Sequence, residues 1–160
     1  MNDADRILGP KPAVAMPTVT RPYWCERSCA YSEDTTKMHE ALHASVAGVF
    51  GFYRKKIVVR ADWSGYADVY TGDGWKQVAI WLAPILIDDV SGGDEEWLME
   101  ISPHQRGYAW GWLKKNKRRI MARAKRLVAK MDDGPGRLEF GHYWNNTARC
   151  WKSSRRKRNQ

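Results

Sequence analysis

Residues 32–50 read SEDTTKMHEALHASVAGVF, and the organisation of the chain follows from this stretch. Ser32, Asp34 and Thr35 offer oxygens suited to a helix N-cap, and apolar or small residues recur at Met38, Leu42, Val46, Val49 and Phe50. The spacing predicts an amphipathic helix over 34–50, with Gly51 as its stop. Inside it, His39-Glu40-Ala41-Leu42-His43 spells H-E-x-x-H. Histidines four apart share one helical face, so both imidazoles can reach a single Zn2+ while Glu40 approaches a water beside it. The competing reading is a solvated surface helix whose two histidines serve no site.

Working outward, KKIVVRA (55–61) is β-branched and apolar in its middle, and YADVY (66–70) alternates, which predicts two strands of a hairpin closed by TGDG at 71–74. WKQVAIWLAPILIDD (75–89) is apolar nearly all round and reads as one core helix interrupted at Pro84. SGG at 91–93 breaks it, and DEEWLMEI (94–101) opens a short helix with acids in its first turn. From Gln105 to Met131, Leu113, Ile120, Ala124, Leu127 and Met131 form a stripe flanked by nine Lys/Arg between 114 and 130, a long basic amphipathic helix. The expected fold class is α+β: the motif helix packed with a small antiparallel sheet or hairpin and further helices. The expected domain plan is an extended, proline-punctuated arm over 1–32, a metal-centred domain over 33–131, and a basic, largely disordered tail over 132–160.

Composition bounds the function. The chain has 160 residues, and its longest uncharged apolar run, Val78 to Ile87, is about half of what a bilayer needs. The first residues lack the basic start and apolar core of a secretory signal. The three cysteines, Cys25, Cys29 and Cys150, are too few for a disulfide framework, so the expected location is cytoplasmic. Cys25 and Cys29 stand in C-x3-C spacing without a second pair, which leaves a metal ligand set incomplete. Charge is divided: residues 1–113 hold 11 Lys/Arg against 15 Asp/Glu, and residues 114–160 hold 16 against 3. That basic third favours polyanions, and Tyr143, Trp144 and Trp151 interleave with Arg149, Lys152 and Arg155 in a way that permits stacking. Non-specific nucleic-acid binding through 114–158 is therefore the alternative function. No helix-turn-helix or zinc-finger spacing supports sequence reading.

A hydrolytic zinc site takes three protein ligands and keeps one position open. The extended H-E-x-x-H-x-x-G-x-x-H form is excluded, because Val46 and Val49 stand where it needs glycine and histidine. The third ligand stays open among Asp62, Asp68, Asp88, Asp89, Asp94, Glu95, Glu96, Glu100, His104 and His142.

HEALHASVAGVFG, followed by KIVVRADWSGYADVY and then VAIWLAPILIDDVSGGDEEW, resembles the metallopeptidase domain of the FtsH-type zinc metallopeptidases over about 39–101. The resemblance implies a zincin-like fold, zinc held by His39, His43 and a downstream aspartate, and Glu40 as general base. That aspartate falls on Asp94 or, by a gap-free reading of the loop, on Glu96. Periodicity favours Asp94, since Trp97, Leu98 and Ile101 share its helical side, whereas Glu96 brings Glu100 with it. Leu42 and Pro84 depart from the family, which usually has glycine at both places, and neither a P-loop pattern nor a membrane anchor is present. The implied activity is a zinc-dependent endopeptidase without powered unfolding, acting on peptides, exposed loops or unfolded segments that add as a strand along 55–61 or 66–70.

Overall fold

Ser32 caps the first helix, its side chain accepting the Thr35 amide at 3.2 Å, and Glu33 and Asp34 occupy the first turn where the helix dipole favours acids. The computed structural model describes residues 32–87, 101–141 and 147–154. Helix α1 runs Glu33–Val49 and ends where Gly51 takes φ +73, a left-handed conformation that suits glycine. Strands β1 (Arg54–Val59) and β2 (Gly65–Val69) follow as an antiparallel pair, with Ile57 opposite Ala67 and Val59 opposite Gly65. Helix α2 spans Gly74–Leu82 and runs into a 3-10 turn over Ala83–Ile87. Helix α3 spans Pro103–Val128, capped by Ser102 with Pro103 in its first turn, where a missing N–H costs nothing. Strands β3 (Gly136–Phe140) and β4 (Ala148–Ser153) complete a four-stranded sheet of order β2-β1-β3-β4, antiparallel throughout.

The fold is α+β, and three expectations change. The core helix expected over 75–89 is α-helical only to Leu82. Pro84 cannot donate to the carbonyl of residue 80, and the chain tightens into 3-10 geometry. The basic helix begins at Pro103 and ends at Val128 rather than spanning 105–131. The largest correction concerns 132–160, expected to be mostly disordered, since β3 and β4 come from it and β3 lies between β1 and β4. Leu138 is buried opposite Ile57 on one side and Trp151 on the other. The charges follow the period-2 alternation outward, where Glu139 meets Arg137 at 3.1 Å and Lys152 at 2.6 Å. The Lys152 hydrogen bond holds the Glu139 carboxyl below its ordinary range. Gly136 is required here, because a Cβ would stand 2.5 Å from the Trp151 indole. The expected arm over 1–32 except Ser32, the short helix over 94–101 except Ile101, and the RRKR terminus lie outside the described residues.

Eleven of the seventeen residues of α1 are buried, so it is the central helix, packed on β1, β2, α2, the 3-10 turn and α3. Leu42, Val46, Ile57, Val59, Ile80, Leu82, Leu113, Ile120 and Leu138 form the fully buried centre. The ends of α1 are tied by polar groups. Lys37 donates to Glu33 at 2.6 Å and to the Asp132 carbonyl at 2.7 Å, and the Gly134 amide also donates to Glu33. This staple joins the start of α1 to the turn that feeds β3. Among the described residues, no helix is long and apolar enough to cross a membrane.

Removing Glu33 takes the carboxylate from the buried Lys37 ammonium, which keeps only the Asp132 carbonyl as a hydrogen-bond acceptor, and takes the acceptor of the Gly134 amide. Glu33→Ala is expected to cost about 2 kcal/mol, whereas Lys37→Met, which replaces the charge by a shape-matched apolar chain, costs less than 1.5 kcal/mol, to order of magnitude. Urea unfolding midpoints of the two variants check the ranking.

Candidate metal centre

His39, Glu40 and His43 stand on the central helix and are all buried, at 5%, 6% and 6% exposure. Imidazoles four apart on a helix converge, and the two Nε2 atoms lie 3.0 Å from one another with the rings edge to face. The ligand atoms of all three residues fall within 4.8 Å of each other, the one such group among the described residues.

The orientation of His43 comes from α2. Its Nδ1 lies 2.7 Å from the Ile80 carbonyl oxygen, which can only accept, so Nδ1–H donates and Nε2 faces His39. The Trp81 ring borders His43 edge-on, with centroids 5.9 Å apart. Pro84 contributes from a distance. The Ile80 carbonyl already accepts the Ala83 amide at the end of α2, and proline, which has no N–H, adds no further backbone donor there in competition with the imidazole. The interruption noted in the sequence is thus tied to the orientation of a site residue.

The other wall is β2. A Cβ at Gly65 would meet Thr36 Cγ2 at 2.9 Å, the Val58 carbonyl at 2.9 Å and Glu40 Cγ at 3.0 Å, so glycine lets the strand run in contact with the Glu40 side chain. Thr36 Oγ1 donates to the Trp63 carbonyl at 2.6 Å, fixing the β1–β2 turn to the same helix. Trp63 itself takes φ +60, unusual for a bulky side chain.

The remaining candidates separate cleanly. Asp94 and Glu96 lie outside the described residues, as do Asp88, Asp89, Glu95, Glu100 and His142. Asp62 accepts from the amide and hydroxyl of Ser64 at 3.0 and 2.7 Å, which holds its carboxyl below the ordinary range, and Asp68 lies 3.8 Å from Lys55. Neither joins the cluster, nor does His104 at the start of α3. Sequence reasoning did not find the Ile80 carbonyl, Trp81 or Gly65. A backbone oxygen has no sequence signature.

Two imidazole nitrogens 3.0 Å apart, one of whose rings is held by a carbonyl at its Nδ1, are a donor set that fits a metal. Tetrahedral zinc with Zn–N near 2.05 Å separates its nitrogens by about 3.3 Å, a few tenths more than the 3.0 Å here. The carbonyl behind His43 is the outer-shell partner that metal-binding histidines ordinarily have. No protein-family model matches the chain, and neither a curated protein nor a solved structure was found to be similar to it.

Gly65→Ala must push β2 away from α1, because two of its three close neighbours are a backbone oxygen and a packed threonine. The expected cost is about 1–3 kcal/mol, the usual range for overpacking, read as a lower denaturation midpoint.

Proposed function

We propose that this chain is a zinc-dependent peptidase in which His39 and His43 hold the metal and Glu40 is the general base. The observation that carries the reading is the pair of Nε2 atoms 3.0 Å apart, with the Nδ1 of His43 committed to the Ile80 carbonyl. The resemblance of 39–101 to the FtsH-type metallopeptidases supports it, and on that reading the fold is zincin-like. Asp94 supplies the third ligand, with Glu96 the alternative carboxylate.

Zinc, when bound, supplies a Lewis acid that makes a water nucleophilic near neutral pH and polarises the carbonyl under attack. Glu40 stands between the histidines in sequence, its carboxylate within 4.8 Å of a nitrogen of each. Its carboxylate takes the proton of the attacking water and returns it to the leaving amine. Burial of the site excludes bulk water from that exchange. The backbone of β2 borders Glu40 through Gly65, and β2 is the outermost strand of the sheet. A substrate segment pairing with that edge would pass the carboxylate in extended form. Peptides and unfolded segments are the substrates this arrangement selects.

Metal content by mass spectrometry tests the reading. Wild type is expected to carry about one zinc per chain. His43→Ala loses it, and so does one of Asp94→Ala and Glu96→Ala, which names the third ligand. Glu40→Gln is expected to keep the zinc and lose about 10²–10⁴-fold in peptide hydrolysis. Wild type without zinc after refolding in its presence would sink the proposal. Pro84→Ala tests the orientation of His43 separately. The restored N–H adds a third donor to an Ile80 carbonyl already shared by the Ala83 amide and His43, and zinc affinity in a competitive chelator titration is expected to fall about tenfold, the lower end for losing an outer-shell partner.

A further inference from the structure

The outward face of α3 has no part in the metal centre. Between Lys114 and Lys130 it carries nine Lys/Arg, and no Asp or Glu occurs anywhere from 101 to 131. Leu113, Ile120, Ala124 and Leu127 are buried, which uses the apolar stripe to pack α3 onto the body. At 3.6 residues per turn all of these cations but Lys117 fall within about half of the circumference, opposite that stripe. Lys114, Lys115, Arg118, Arg119, Lys125 and Arg126 are all exposed, and among the described residues none of the nine cations makes an ion pair. The row from Lys114 to Lys130 is about 24 Å long.

A face that served solubility alone would intersperse both signs, with Glu and Lys four apart gaining a few tenths of a kcal/mol per pair. Here Lys114 and Arg118, Lys115 and Arg119, Arg119 and Arg123, and Arg126 and Lys130 place like charges four apart, which is unfavourable until an anion intervenes. Burial lowers the pKa of Arg123, and Arg119 and Arg126 lower it further. We propose that the outward face of α3 binds nucleic acid through its phosphate backbone, independently of sequence and independently of the peptidase reading.

Two observations favour phosphates over a bilayer and over base reading. A membrane-surface helix needs a free apolar face, and the large apolar residues of α3 that are fully buried are spent on the core. Side chains that read base edges by amides are missing from the face: Asn116, the one amide between Lys114 and Lys130, donates to its own helix at the Trp112 carbonyl, 2.9 Å away. A row of cations on a rigid helix matches a backbone that offers one charge per about 1.7 Å of duplex.

The test is fluorescence anisotropy of the full chain with a labelled 25-base-pair duplex, a second duplex of unrelated sequence and an oligo-dT strand, from 50 to 300 mM NaCl. The expected result is binding of both duplexes within about threefold of each other, with a log–log salt slope near −5 for about six phosphate contacts. The triple variant Lys114→Gln/Arg118→Gln/Lys125→Gln should shallow that slope by about 2.7 and weaken binding more than tenfold at 100 mM salt. Lys115→Gln/Arg119→Gln/Arg126→Gln should behave alike. Both variants change exposed side chains and relieve repulsion, and circular dichroism verifies that they fold. Lys55→Gln, on the sheet, should leave binding unchanged. No binding to any strand, binding of phosphatidylserine vesicles without nucleic acid, or triple variants that bind as wild type would each overturn the proposal. Zinc content is measured on the same samples, so failure here is read separately from failure of the metal centre.

Discussion

A helix that carries Thr36, Lys37, His39, Glu40, His43 and Ser45 has been placed in the middle of the molecule, and that constraint organises the rest. Buried polar groups without partners cost a few kcal/mol each, so α1 is tenable only where its surroundings satisfy them. Each anchor draws in a different part of the chain. Thr36 takes the Trp63 carbonyl and fixes the hairpin turn, while Lys37 takes Glu33 and the Asp132 carbonyl and fixes the approach to β3. His43 takes Ile80 and fixes α2, and Ser45 bonds back to the Ala41 carbonyl at 2.6 Å. Apolar packing makes the fold compact. These polar ties decide which turns and strands surround the motif.

The sequence made some of this legible and concealed the rest for physical reasons. Helix α1 and strands β1 and β2 were found within one or two residues, because caps, periodicity and β-branched runs all agree there. The split at Leu82 was foreshadowed by Pro84, but the Ile80 carbonyl that orients His43 is a backbone atom from another element. Strands β3 and β4 were missed because five-residue alternation in GRLEF and a lone large apolar residue in ARCWKS are weak signals amid many cations. Their burial is decided by partners far away in sequence, Ile57 and the Trp151–Leu138 pair, and no local pattern announces them. Within the site, His39, Glu40 and His43 were legible from spacing alone. The proposed third ligand, Asp94 or Glu96, falls outside the described residues.

Arg54 shows how closely the two charged halves approach. It is buried at the start of β1, stacked on Phe140 at 4.4 Å, and its guanidinium reaches toward the Ala44 carbonyl near the end of α1. Burial first, and then Arg123, push its pKa down to about 10. Gly48 leaves the room for both, since a Cβ there would meet the Arg54 guanidinium at 2.9 Å and that of Arg123 at 3.3 Å. The carbonyl end of α1 attracts cations, which favours bringing two arginines to this point.

Helix α3 thus has two faces under opposite pressures, and magnitudes decide between them. Four like-charged pairs four residues apart cost about 1–2 kcal/mol together, at 0.2–0.5 kcal/mol each. Against this, Leu113, Ile120 and Leu127 contribute roughly 1.5–3 kcal/mol apiece by leaving water. Packing wins, and α3 stays docked on α1 whatever its outer face meets. Because the same helix backs the motif helix, phosphate bound outside would relieve repulsion in the element that supports His39 and His43 from within. Any coupling between the two is bounded by that repulsion, at most about 1–2 kcal/mol. Nucleic acid would then steady the metal centre slightly, and it could not switch it on or off.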